Sequence, residues 1–226
     1  MKNETVKKKK TFENSLKGSR FWGVLVFIVL IIIDQITKMV ADVFFNMQGA
    51  PNKIGLIPNI LELEMSYNRG IAFGALGDSS PVVKLCIVVI TAILMAILTL
   101  VYWKMDKNRT IFRWALVLIV AGGIGNLIDR VNYQVWDPNT YMGGVQDGVR
   151  DFVHVMFIID FECCNFADFF IVAGVIMMIL AMLFCDTNAL WPQGKYKELA
   201  RIETQKEEQK KREAIAKKNK KYTQGE

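Results

Sequence analysis

Histidine is nearly missing from this chain: His154 is the only one among 226 residues, beside 4 cysteines. A zinc site built from His and Cys is therefore not expected, and no metal or other cofactor is implied. Cys86 and Cys185 fall within apolar stretches, where a thiol packs as a small hydrophobe. Cys163 and Cys164 are adjacent in sequence, so neither has an obvious distant disulfide partner. Other signals are lacking too. Ala121-Gly-Gly-Ile-Gly-Asn126 has the wrong glycine spacing for a dinucleotide fingerprint, and no strand precedes it. No small-x-small cleavage site follows Ile33, so the first apolar run reads as a retained helix rather than a cleaved leader. No inverted repeat of the kind that builds transporters is visible.

What is present is apolar length. The chain is 52% hydrophobic with positive mean hydropathy, and four stretches reach the roughly 20 residues needed to cross a bilayer. They are 21–43, 82–103, 111–131 and 166–185. The expected fold class is all-α membrane protein, a four-transmembrane-helix bundle occupying 21–187. A basic cytoplasmic N-terminus (1–20), disordered or surface-bound, precedes it. A basic cytoplasmic tail (188–226), helical and solvated, follows it.

Basic residues are as informative where they are scarce as where they abound. Residues 1–20, 104–113 and 188–226 hold 22 of the 28 Lys and Arg. Segments 44–81 and 132–165 hold only Lys53, Arg69 and Arg150. Cytoplasmic segments carry such an excess, which predicts N-in, C-in. This distribution follows topology rather than a binding face, so the net charge of +6 does not imply nucleic acid.

Charged residues interrupt the spans near one face. Asp34 lies 13 residues beyond Phe21, about 20 Å along a helix, and Asp129 lies 16 beyond Arg113, about 24 Å. Ionisable groups at bilayer depth are costly and are functional candidates by default. Asp34 and Lys38 sit four apart on one helical face and should pair. Asp129 precedes Arg130, which reads most simply as a structural ion pair. Glycines near Gly122 suit close helix packing. Asp168 opens the fourth stretch, with Asn165 as N-cap. Asp151 returns from the second external segment among apolar neighbours. If Asp151 and Asp168 meet in a low-dielectric pocket, one keeps a proton while the other acts as base on water. Asn68, Gly70 and Asn126 are expected near the same level, where Asn can hold a peptide backbone or serve only in a turn or helix contact. Alternation over 60–67 predicts a strand.

Five blocks in order, Asp34-Gln-Ile-Thr-Lys38, Asn68-Arg-Gly-Ile-Ala-Phe-Gly74, Gly122-Gly-Ile-Gly-Asn-Leu-Ile-Asp-Arg130, Arg150-Asp-Phe152 and Asn165-Phe-Ala-Asp168, resemble the bacterial lipoprotein signal peptidase (signal peptidase II) family. The resemblance covers roughly 21–187. It implies an intramembrane aspartic endopeptidase of the bacterial inner membrane, multi-pass, with its active site facing the periplasmic side. Such an enzyme removes signal peptides from prolipoproteins, cutting before a diacylglyceryl-cysteine. It implies Asp151 and Asp168 as the catalytic dyad, with Asp34, Lys38, Asn68, Gly70, Gly122, Asn126, Asp129, Arg130, Asn165 and Ala167 shaping or supporting the site. It further implies a small extracytoplasmic β-cradle from 44–81, a monomer, and membrane lipid as a partner. Arg150, Cys164 and a long Asp129–Asp151 interval depart from the family pattern. Two other classes fit parts of the sequence, a proton-coupled small membrane transporter and a non-catalytic membrane assembly protein. The clustering of acids at one end argues against the transporter, whose substrates bind near the midplane.

Overall fold

The computed structural model describes residues 2–70, 76, 80–105, 109–132, 148–156, 163–185 and 192–223. Two compact units divide the chain, Met1–Val175 and Ile176–Glu226. The helices are α1 (Lys2–Phe45), α2 (Pro81–Lys104), α3 (Thr110–Arg130), α4 (Phe166–Phe184) and α5 (Lys195–Thr223). The strands are β1 (Lys53–Ile57), β2 (Leu61–Asn68) and β3 (Val149–Val155).

Four helical segments are long and apolar enough to cross a membrane: Arg20–Phe45, Val82–Lys104, Thr110–Arg130 and Phe166–Phe184. They coincide with the four predicted stretches to within three residues at each end. The basic N-terminal segment is helical: α1 begins at Lys2 and continues without a break into the apolar run. Lys and Glu are good helix formers and no proline interrupts 2–45. The Lys- and Glu-rich tail forms α5.

Within the first unit α3 is central. Ala115, Leu116, Val117, Val120 and Ala121 are buried, whereas α1 and α2 leave Ile28, Ile32, Ile36, Ile90 and Ile93 exposed. Apolar side chains turned outward along whole helices suit a lipid solvent. Small residues let α4 approach α3. A Cβ at Gly122 would stand 2.2 Å from the Ala167 carbonyl oxygen, and Ala167 itself is fully buried. Packing this close is what glycine supplies in lipid, where hydrophobic transfer drives little helix association.

The strands form one antiparallel sheet in the order β1-β2-β3. The alternation that predicted a strand at 60–67 yields β2, but the third strand, β3, comes from the segment between α3 and α4. A bulge in β2 between Leu63 and Ser66 shifts its register against β3, so Ser66 faces Asp151 and Asn68 faces Val149. Bulges sharpen twist and re-aim side chains. A core of Ala41, Phe152 and Val153, extended by Phe45, Leu61, Leu63 and Phe166, packs the sheet against the ends of α1 and α4.

Candidate active site

The N-terminus of α4 organises the site. Asn165 is the N-cap: its Oδ1 accepts the Asp168 N–H at 3.2 Å, and Asp168 Oδ2 accepts the Asn165 N–H at 3.0 Å. This reciprocal arrangement is a capping box made with Asn and Asp. Asp34 supplies a third partner from α1, its Oδ1 accepting the Ala167 N–H at 3.0 Å. A carboxylate there also meets the positive end of the helix dipole. Three of the backbone N–H groups that a helix start exposes are thus satisfied without water.

Lys38 is fully buried, and its ammonium finds three acceptors. They are Asp34 Oδ2 at 2.9 Å, Asn126 Oδ1 at 2.9 Å and Asp129 Oδ2 at 3.5 Å. An ammonium has three N–H groups, so its bonding capacity is filled. The expected Asp34–Lys38 pair is present. Asn126 relays the arrangement onward, its Nδ2 donating to Asp168 Oδ1 at 2.8 Å. Asn165 Nδ2 donates both to Asn126 Oδ1, at 3.1 Å, and to Asp151 Oδ1. Two asparagines therefore join the side chains of Asp151 and Asp168 through hydrogen bonds donated by their amides.

Asp129 departs from the sequence reading. Its partners are not its neighbour Arg130 but Lys38 and Arg150. Arg150 Nη2 lies 2.8 Å from Asp129 Oδ1, and the Arg150 backbone N–H reaches Oδ2 at 3.0 Å. Consecutive helical residues point in different directions, so adjacency in sequence did not make the pair. Arg130 instead donates from Nη2 to the Gly70 carbonyl at 3.1 Å, tying the turn after β2 to α3. Arg150 also donates to Gln35 Oε1 at 3.2 Å and lies 4.0 Å from Asp42. Side chains alternate along β3, so Arg150 turns to this buried network while Asp151 turns to the opposite face.

Asp151 and Asp168 line one cavity of about 410 Å³. Asn68, Asn126, Arg130, Asp151 and Asp168 form its polar part; Leu94, Met95, Leu98, Ile119, Ile171 and Val172 form an apolar wall. Asn68 bonds the Gly70 N–H through Oδ1, at 3.0 Å, and hydrogen-bonds Asp151. It therefore serves in both a turn and the site. Burial, then the nearby charge of Asp168, pushes Asp151 up to about 7, against hydrogen bonds from Asn165 and Asn68 and the charge of Lys38. Asp151 thus holds a proton at a pH where an ordinary carboxyl has none. Burial pushes the neighbouring Cys164 thiol up to about 12, so that thiol stays protonated.

All twelve residues singled out from the sequence fall in this one region of the first unit. Sequence reading missed Gln35 and Asp42 and gave Arg150 no partner. Only the four-residue spacing of Lys38 and Asp42 on α1 hinted that Asp42 belongs with the cluster. The long Asp129–Asp151 interval expected as an insert falls mainly at 133–147, outside the described residues.

Acids gathered at one end of long apolar helices, with buried Asp151 and half-buried Asp168 on one part-apolar cavity, mark a membrane enzyme. Two solved structures support that class, each a bacterial membrane enzyme. One has a TM-score of 0.56 at 27% identity, covering 71% of this chain and 87% of its own. The other has a TM-score of 0.55 at 28% identity, covering 71% and 92%. The chain belongs to the signal peptidase II family, whose profile, described as Signal peptidase (SPase) II, matches residues 26–184. It is similar to the lipoprotein signal peptidase of Ectopseudomonas mendocina, 28% identical over 78% of this chain and 96% of that one. It is also similar to that of Clostridioides difficile, 31% identical over 74% and 97%, and to that of Staphylococcus haemolyticus, 31% identical over 71% and 90%. The protein is accordingly a protease with the helices of a multi-pass membrane protein.

Proposed function

We propose that this protein is an intramembrane aspartic endopeptidase that removes the signal peptide from diacylglyceryl-modified prolipoproteins, cutting just before the lipidated cysteine. The observation that carries the reading is the pair Asp151 and Asp168 on one cavity, cross-linked by Asn126 and Asn165. Names of the family's relatives support the substrate class.

Asp168 is the base. Its two oxygens are held by the Asn126 amide and the Asn165 backbone N–H. It takes a proton from water, whose oxygen attacks the scissile carbonyl carbon. Asp151, whose proton is retained far above the ordinary carboxyl range, gives it to the carbonyl oxygen, leaving a neutral tetrahedral diol. On collapse Asp168 returns its proton to the leaving nitrogen and Asp151 recovers one from the diol. Protons balance across the cycle with no cofactor. The apolar wall of the cavity receives the hydrophobic signal peptide, and Asn68 lies within reach of its backbone.

The protein sits in the bacterial inner membrane with both termini cytoplasmic, an orientation supported by the 22 basic residues on one side. The sheet and dyad then face the periplasm. The unit that works is a monomer in contact with membrane lipid, as the family resemblance implies. The experiment is to offer purified protein a prolipoprotein with and without diacylglyceryl on its cysteine, and to map the product by mass spectrometry. Cleavage of the modified form alone, immediately before the cysteine, is expected. Equal cleavage of both forms, or a cut elsewhere, would overturn the substrate assignment.

A further inference from the structure

The only histidine does have metal-type company, on a part of the sheet that the peptidase chemistry does not use. His154 on β3, Glu64 on β2 and Cys163, just before α4, bring one donor atom each to within 4.8 Å of one another. Glu64 Oε1 is 3.0 Å from His154 Nδ1 and 3.3 Å from Cys163 Sγ. We propose that Glu64, His154 and Cys163 form a binding site for a zinc-type divalent transition-metal ion.

Geometry, donor chemistry and charge agree. Zinc bonds of 2.0–2.3 Å set tetrahedral ligand–ligand edges of roughly 3.3–3.8 Å, so the two Glu64 separations need lengthen by only a few tenths of an ångström, and the His154–Cys163 separation, within 4.8 Å, closes by at most about 1.3 Å. One nitrogen, one oxygen and one sulfur donor suit a borderline-soft ion and would not suit magnesium or calcium. Metal binding displaces the Cys163 thiol proton and leaves the imidazole neutral, with its proton on Nε2. Thiolate and carboxylate then balance the two positive charges. Lys53 supports the arrangement: its Nζ holds Glu64 Oε2 at 2.7 Å, which leaves Oε1 turned to the other two donors. Outer partners of this kind fix a ligand's orientation. Three ligands leave a fourth position for solvent. Counting only His and Cys hides this site, because its third donor is a carboxylate.

The site would clip together three separate segments. Cys163 precedes Cys164, which pairs with Val153 through backbone bonds of 2.8 and 2.9 Å. Asn165, the cap of α4 and a partner of both aspartates, follows directly. A metal there would brace the sheet against the start of α4 without touching the dyad.

The test uses the full-length protein in detergent, stripped with chelator and titrated with Co²⁺ as a spectroscopic stand-in, then with Zn²⁺. One equivalent of Co²⁺ should raise a near-ultraviolet thiolate-to-metal band that Zn²⁺ abolishes. Cys163→Ser should lose the band, Cys164→Ser should keep it, and His154→Gln and Glu64→Gln should weaken binding by roughly tenfold or more. Zn²⁺ should also raise the melting temperature of wild type but not of Cys163→Ser or His154→Gln. This second readout keeps the test valid should one variant start from a lower melting point. No thiolate band in wild type, or a band lost in Cys164→Ser but kept in Cys163→Ser, would overturn the proposal.

Discussion

Arg150 gives the sharpest test of how the site is held. It leaves β3 next to Asp151, yet its guanidinium joins Asp129 on α3 and Gln35 on α1, at 2.8 and 3.2 Å. Replacing it with Met keeps much of the volume and removes the charge. Asp129, fully buried, would then depend on the Arg150 backbone N–H and on Lys38 at 3.5 Å, which it shares with Asp34. Breaking one side of a buried pair costs about 3–5 kcal/mol. For a chain of this size that corresponds to a fall of roughly ten degrees in melting temperature. The assay is thermal unfolding in detergent for wild type, Arg150→Met, Asp129→Leu and the double variant. The double variant should be markedly more stable than the sum of the two losses predicts, because it removes both buried charges together. A melting point for Arg150→Met within two or three degrees of wild type, or strict additivity in the cycle, would refute the reasoning.

The pH behaviour of Asp151 carries a definite sign. Its folded value near 7 stands above the ordinary 3.8, so proton binding favours the folded state fully below 3.8, and this support fades as pH rises through 7. Above 7 the ionised buried group costs up to about 4 kcal/mol. Asp151→Asn should therefore melt increasingly above wild type as pH goes from 5 to 8; a gap that does not change with pH would count against it. In wild type, cleavage should decline on the alkaline side as Asp151 loses its proton near pH 7, which a pH profile of kcat/KM will show. Gly122→Ala should push the start of α4 away, since its new Cβ would meet a backbone oxygen at 2.2 Å. Misplacement of about 1 Å should lower kcat about 100-fold while the protein still folds, as measured by cleavage beside a melt.

Much of the fold was legible because hydrophobic length is a one-dimensional property. The four apolar runs appear as helices with nearly the predicted ends, and the alternation of Leu61–Tyr67 gives β2. β3 was less visible: Val149–Val155 is largely buried on both faces along its first half, so it lacks clean alternation. At the site, spacing within one helix was readable, as with Asp34 and Lys38. Pairing between segments was not. Asp129 met Arg150, 21 positions away, instead of Arg130 beside it, because the turn of a helix and the pleat of a strand decide where each charge points. The same blindness hid Glu64 from His154 and Cys163. The N-terminal segment, read from its charge as disordered or surface-bound, is continuous with α1, in line with its local helix propensity.

The most direct measurement of the central claim is cleavage of a diacylglyceryl-modified prolipoprotein by wild type, Asp151→Asn and Asp168→Asn, each purified and melted in parallel. Efficient cutting by wild type and none by either folded variant is the predicted result. Cutting that persists in a folded Asp151→Asn or Asp168→Asn protein would contradict the dyad and return both aspartates to a structural role.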